Sequence, residues 1–191
     1  VPQIRNQFKI TYIEASIINL ALWNKFERCI HFYKAMENDI KNLKNLVSIQ
    51  FTISVNYYLA ASYFGLGKYH EALDHINIVI DHRKSDTYAM QTIPAQALFV
   101  MIHLELGNTE FVMNYLRTFK RYFAKQVADI KTITAIADIF KEYTGVAFQK
   151  NKLRAAAGKW LKRIEALKQD QNERIFLRNS MIGVWIKKMM E

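Results

Sequence analysis

The chain has 191 residues, 51% of them hydrophobic, with six Gly and two Pro, and a formal charge of +10. That is enough to bury one sizeable core or four to five stacked repeats, and too few turn residues for an all-β or α/β fold. The longest uncharged apolar run of note, 95–102, is far short of the roughly 18 to 20 residues of a membrane span, so none is expected.

Cys29 is the sole cysteine, which excludes an internal disulfide and a cysteine metal cluster and makes the cytoplasm the default compartment. The sequence starts at Val1-Pro2 with no signal peptide and runs straight into a helical pattern, as part of a longer protein would. Charge is uneven. Residues 1–116 hold ten Lys/Arg and ten Asp/Glu, whereas 117–191 hold seventeen and seven. A basic half attracts an acidic partner or is a solvated Lys-rich surface.

In chain order, the first expected pair joins a helix over 3–22 to one over 26–42, turning at Asn24, with 42–45 as the connection onward. The second joins 46–64 to 69–81, turning at Gly67. There Leu59, Ala60 and Tyr63, then Ala72, Ile76 and Ile80, recur three or four apart, one apolar stripe per helix. Ala60 and Ala72 let the helices approach, and Gly67 supplies the positive φ of a reversal.

A polar connection, 82–86, leads to a third pair over 86–124 turning at Gly107, with Asn108 as N-cap of its second helix and Pro94 at the start or inside of its first. The fourth joins 128–148 to 152–169, turning at Asn151. Its second helix sets Leu153, Ala156, Trp160, Ile164 and Leu167 on one face. Asp170 and Glu173 read as a capping box for a closing helix over 171–190.

The second pair, with Leu59, Ala60, Tyr63, Gly67, Tyr69, Ala72 and Ile76, resembles the tetratricopeptide repeat, although Asn56 stands where that family has tryptophan and its closing proline is absent near Lys84. Turn residues at 24, 67, 107 and 151 mark four units offset by 43, 40 and 44 residues, longer than the family's repeat of about 34. The resemblance implies an all-α, right-handed superhelical solenoid of about four antiparallel helix pairs plus a closing helix. It also implies a non-catalytic protein-interaction scaffold.

Such repeats work through a concave groove. The family's inner-face positions fall here on Thr11, Glu14, Ile18 and Ala21; Ser54, Tyr57, Ala61 and Phe64; Ala97, Met101 and Leu104; and Asp138, Lys141, Gly145 and Phe148. This mostly apolar lining suits an amphipathic helix or apolar peptide segment, or is core filled by the chain's own terminal helix or a second copy. The charged clamp that binds chaperone C-termini is excluded, because Glu14, Ile18, Tyr57, Tyr58, Ala61 and Leu98 occupy its positions.

A second reading is nucleic-acid or other polyanion binding, through Arg117, Lys120, Arg121 and Lys125, or Lys150, Lys152, Arg154, Lys159, Lys162 and Arg163, with Tyr122 or Trp160 stacking bases. Trp160 is otherwise the large packing residue opposite Ala156. A third keeps the fold and resembles bacterial peptide-sensing regulators. His70, His75 and His82 lack metal-ligand spacing, His31 and His103 read as packing residues, and Cys29 as a buried thiol. No phosphate loop, nucleophile elbow or metalloprotease motif occurs, so no enzyme activity, cofactor or metal is expected.

Overall fold

The structure, a computed structural model, describes residues 2–82, 89–126 and 131–191, with 2, 89–92, 120, 122–126 and 175 described in the backbone alone. The described residues form helices and turns, with no strand among them. Two compact units divide the chain, Val1–Ser85 and Asp86–Glu191.

The first unit holds α1 (Pro2–Leu22), α2 (Phe26–Asn42), α3 (Ile49–Gly65) and α4 (Tyr69–Asp81). Here α1 packs on α2 and α3, α2 on α3, and α3 on α4. The sequence places α3 at the centre because it is apolar on every side; its residues from Tyr57 to Phe64 are all buried. Its start differs from the expected 46, since the Ser48 hydroxyl accepts from the Phe51 amide and fixes Ile49 as the first helical residue.

Close approach needs small residues where the helices cross. Ala60 and Ala72 are fully buried between α3 and α4, beside Leu59 and Ile76. Cys29, the counterpart of Ala72 on α2, is likewise fully buried. Gly65 serves contact rather than the turn: it ends α3, and an added Cβ would fall on the Phe26 ring. The reversal itself belongs to Gly67 at φ 73, as the α1–α2 turn belongs to Asn24 at φ 56.

The second unit holds α5 (Ala89–Glu105), α6 (Thr109–Gln126), α7 (Lys131–Val146), α8 (Lys150–Leu167), α9 (Gln171–Leu177) and α10 (Ile182–Lys188). Contacts among its first four helices repeat those of the first unit: α5 on α6 and α7, α6 on α7, α7 on α8. Pro94 lies inside α5, and the α5–α6 turn carries Gly107 at φ 78. Asn108 spends its side-chain amide on His103 Nδ1, 3.0 Å away. Residues 83–88 and 127–130, including most of the expected 82–86 connection and the expected helix start at 128, lie outside the described residues.

Two expectations are corrected here. The fourth turn spans 147–149, and Asn151 sits in the first turn of α8. That turn contains no residue at positive φ, so an Asn was not its marker. The expected closing helix over 171–190 is two short helices separated by Arg178–Met181, and they return to α5, α7 and α8 rather than covering α8 alone. Asp170 does cap α9, accepting from the Asn172 amide at 2.9 Å. Glu173 does not reach back to Asp170; its carboxylate accepts from the Lys131 and Thr132 amides at the start of α7, both at 2.8 Å.

Candidate interaction surfaces

The groove positions divide into three environments. Tyr57, Ala61, Phe64, Ala97, Met101 and Leu104 are buried, as are Ser54 and Ala21. Burial raises the Tyr57 phenol far above the ordinary tyrosine range. In the second unit the cause is the chain itself, because α9 and α10 rest on α5 and α9 rests on α7. Trp185 on α10 donates its indole N–H to Glu105 Oε1 at 2.8 Å, next to Leu104, and its ring meets Phe140 at 5.7 Å and Tyr143 at 5.0 Å.

Glu14 and Ile18 are half-buried on α1, and Thr11 is exposed. On α7, Asp138 pairs with Arg163 of α8 at 3.1 Å, while Lys141 and Gly145 are exposed, as is Phe148 in the turn beyond the helix, to 94%. That stripe lies away from Phe140 and Tyr143, the α7 residues that meet Trp185. The inner-face positions therefore do not line one open apolar surface within either unit.

An open apolar stripe lies instead on α1. Ile10, Ile13, Ile17 and Ala21 are buried, and Ile4, Phe8 and Tyr12, four residues apart, form a stripe on the opposite side; Phe8 is 72% exposed. The Tyr12 ring leans edge-on against Phe32 of α2, 5.9 Å between centroids. Leu22 and Trp23 continue the exposed apolar surface at the helix end. The spacing of Ile4, Phe8 and Tyr12 is itself a sequence signal, hidden because the buried isoleucines show the same periodicity.

The basic positions lie on two helices. Arg117 and Arg121 are exposed on α6, whereas Lys120, Tyr122 and Lys125 are described in the backbone alone. Lys150, Lys152, Arg154, Lys159, Lys162 and Arg163 are exposed on α8. Trp160 is closed to bases: it is 2% exposed and donates to Glu142 Oε2 at 2.6 Å.

The histidines serve packing or the surface. His75 donates from Nδ1 to Asn56 Oδ1, 2.8 Å away, stacks on Tyr63 and meets Tyr33 edge-on; burial holds its pKa below the ordinary 6.5. His103 sits in a ring cluster with Phe99 and Phe111, and burial lowers its pKa as well. His31 is exposed, so it is not the packing residue expected, and His82 bonds the Ile78 carbonyl. The Cys29 thiol donates to the Ile17 carbonyl, and burial raises its pKa, which keeps it an unreactive thiol.

Among the described residues no group of three His, Cys, Asp or Glu side chains could hold a metal ion, and no helix is long and apolar enough to cross a membrane. Comparison with protein-family models, curated proteins and solved structures gave no match.

Proposed function

We propose that this chain is a non-catalytic protein-interaction scaffold of tetratricopeptide-like helix pairs, which holds an amphipathic helix of a partner protein along the outward face of α1. The repeat reading is supported by the shared contact scheme of α1–α4 and α5–α8 and by left-handed turn residues at 24, 67 and 107. Packing of first helix on first helix, and of second helix on the next first helix, is what stacked pairs need to bury a continuous core. A solenoid of such pairs belongs to the same proposal, as does a cytoplasmic setting, which a lone buried thiol suits.

One observation carries the partner site. α1 is apolar on two opposite faces, and only one of them is covered. Helices that are apolar all round belong in interiors, as α3 shows. The exposed face repeats every four residues, the spacing at which one helix receives another, so its occupant is a helix presenting its own apolar stripe. Phe8 and Tyr12 supply the aromatic anchors that dominate such interfaces.

Photo-cross-linking tests this directly. With a photoreactive benzoylphenylalanine at position 8, the expected product joins α1 to a segment of a different protein with apolar residues three and four apart. The double variant Phe8→Ser, Tyr12→Ser should weaken that complex by about 30-fold, the equivalent of ~2 kcal/mol for an anchor pair. Cross-links between copies of this chain, or an unchanged affinity in the variant, defeat the proposal. Tyr57 and Phe64 are unsuitable test positions, because their substitution probes folding rather than docking.

A further inference from the structure

We infer that the outward face of α8, with Phe148 in the turn before it, is a docking surface for single-stranded nucleic acid, independent of the protein-binding face on α1. The argument begins with where the acids of the second unit are spent. Asp138 is paired with Arg163, Glu165 with Lys168, and Glu142 with the Trp160 indole. Asp170 caps α9, Glu173 is bound to the α7 amides, and Glu105 holds Trp185. The unit's described ion pairs thus engage Arg163 and Lys168, and its other bonded carboxylates are held by neutral N–H donors rather than by lysines of α8.

Part of its positive charge stays unpaired. Lys152, Lys159 and Lys162 are exposed and have no ion-pair partner among the described residues. They lie within one sector of α8, opposite the buried Ala157, Trp160 and Ile164. Ala155 and Gly158, between them in sequence, add no bulk, and a Cβ built at Gly158 meets open space. From Lys152 to Lys162 the ridge rises about 15 Å, room for several successive phosphates of one strand.

Phe148 distinguishes single strands from other polyanions. It is 94% exposed, four residues before Lys152, and rests on nothing that would explain a large ring in water. An exposed ring in the turn that leads into a helix bearing a row of cations offers an unpaired base a stacking face while its phosphates are neutralised. An anionic membrane fits less well, because the ridge itself offers alanine and glycine, not the broad apolar face that interfacial helices insert.

The test uses the full chain and a fluorescein-labelled, mixed-sequence 20-nucleotide single-stranded DNA, read by fluorescence anisotropy from low to roughly physiological salt. Each phosphate neutralised contributes a slope of about −0.7 in log K against log salt for single strands. Removing three contacts in Lys152→Gln, Lys159→Gln, Lys162→Gln should therefore flatten the slope by about 2 and weaken binding more at low salt than at high. Phe148→Ala should lower affinity about tenfold with the slope unchanged, the signature of lost stacking.

Far-ultraviolet circular dichroism verifies that these surface variants remain folded. Binding that is equal in wild type and triple variant overturns the proposal, as does an Phe148→Ala protein that binds like wild type. So does stronger, variant-sensitive binding to phosphatidylserine-containing vesicles or to polyglutamate than to the oligonucleotide.

Discussion

Glu173 offers the sharpest test of how the second unit is held. It is 3% exposed, and its two carboxylate oxygens satisfy the first two amides of α7. Glutamine at this position keeps one acceptor, turns an NH2 donor toward the second amide and removes the charge that complements the helix N-terminus. A lost charge-assisted bond is worth about 1.5 to 3 kcal/mol and the dipole contribution up to ~1 kcal/mol, so Glu173→Gln should destabilise by about 2 to 4 kcal/mol. Glu173→Ala leaves both amides without this acceptor and should lose about 3 to 5 kcal/mol.

Urea denaturation followed by tryptophan fluorescence reads this unit selectively. Trp160 and Trp185 are 2% and 1% exposed in the second unit, whereas Trp23, in the first, is 75% exposed and changes its surroundings little on unfolding. With a slope of about 1.5 kcal/mol/M, a loss of 3 kcal/mol moves the midpoint by about 2 M. The exposed Glu165→Gln, which frees only the surface partner Lys168, should move it by less than ~0.5 M. Midpoints for both Glu173 variants within the range of that control would refute the assignment of Glu173 as the long-range cap of α7.

Three further outcomes follow from packing and titration. Ala72→Phe, at a fully buried helix crossing, should destabilise the first unit by about 1 to 3 kcal/mol, and an unchanged melting curve would contradict the α3–α4 contact. Gly65→Ala should be destabilising by a similar amount because of Phe26, whereas Gly158→Ala, facing open space inside α8, should stabilise by about 0.5 to 1 kcal/mol; calorimetry separates the two signs. His75 has a depressed pKa in the folded state, so the unfolded chain binds its proton first. The stability that the neutral ring contributes is complete above about pH 6.5 and falls as pH drops through the lowered folded value. His75→Phe should flatten that part of the stability profile, and an unaltered pH dependence would count against it.

The sequence revealed the architecture where local chemistry determines it. Asn24, Gly67 and Gly107 announce turns because few other residues take positive φ, and Ala60 and Ala72 announce close helix crossings. The turn at 147–149 needs no such residue, and Asn151, the nearest turn-forming residue type in the sequence, is helical. Asp170 and Glu173 have the spacing of a reciprocal cap, and only Asp170 acts as one, because the competing acceptor demand comes from amides 41 and 42 residues away. Long-range demand leaves no periodic trace.

The same limit governs the surfaces. Three- and four-residue spacing shows that α1, α3 and α5 carry apolar stripes, but not what covers each one. Tyr57 and Met101 read as an open lining and are buried, while the exposed Phe8 and Tyr12 share their periodicity with the buried isoleucines of their own helix. Charge was more legible. The basic excess after residue 116 is a plain count, yet its availability depends on which acids the fold consumes, and this needed the positions of Glu142 and Glu173.

The bond from Trp185 to Glu105 joins residues 80 positions apart, and that separation has a meaning during synthesis. At about 5 to 20 residues per second, the end of α5 waits roughly 4 to 16 s for its indole donor after leaving the ribosome's catalytic centre. The contacts of α3 with α4 need no such wait. A nascent chain thus carries a first unit able to close early and a second whose α5 and α7 surfaces stay without α9 and α10 until translation has passed residue 188. Slow codons or stalling between residues 126 and 171 would prolong the interval in which that apolar surface meets chaperones before it meets its own chain.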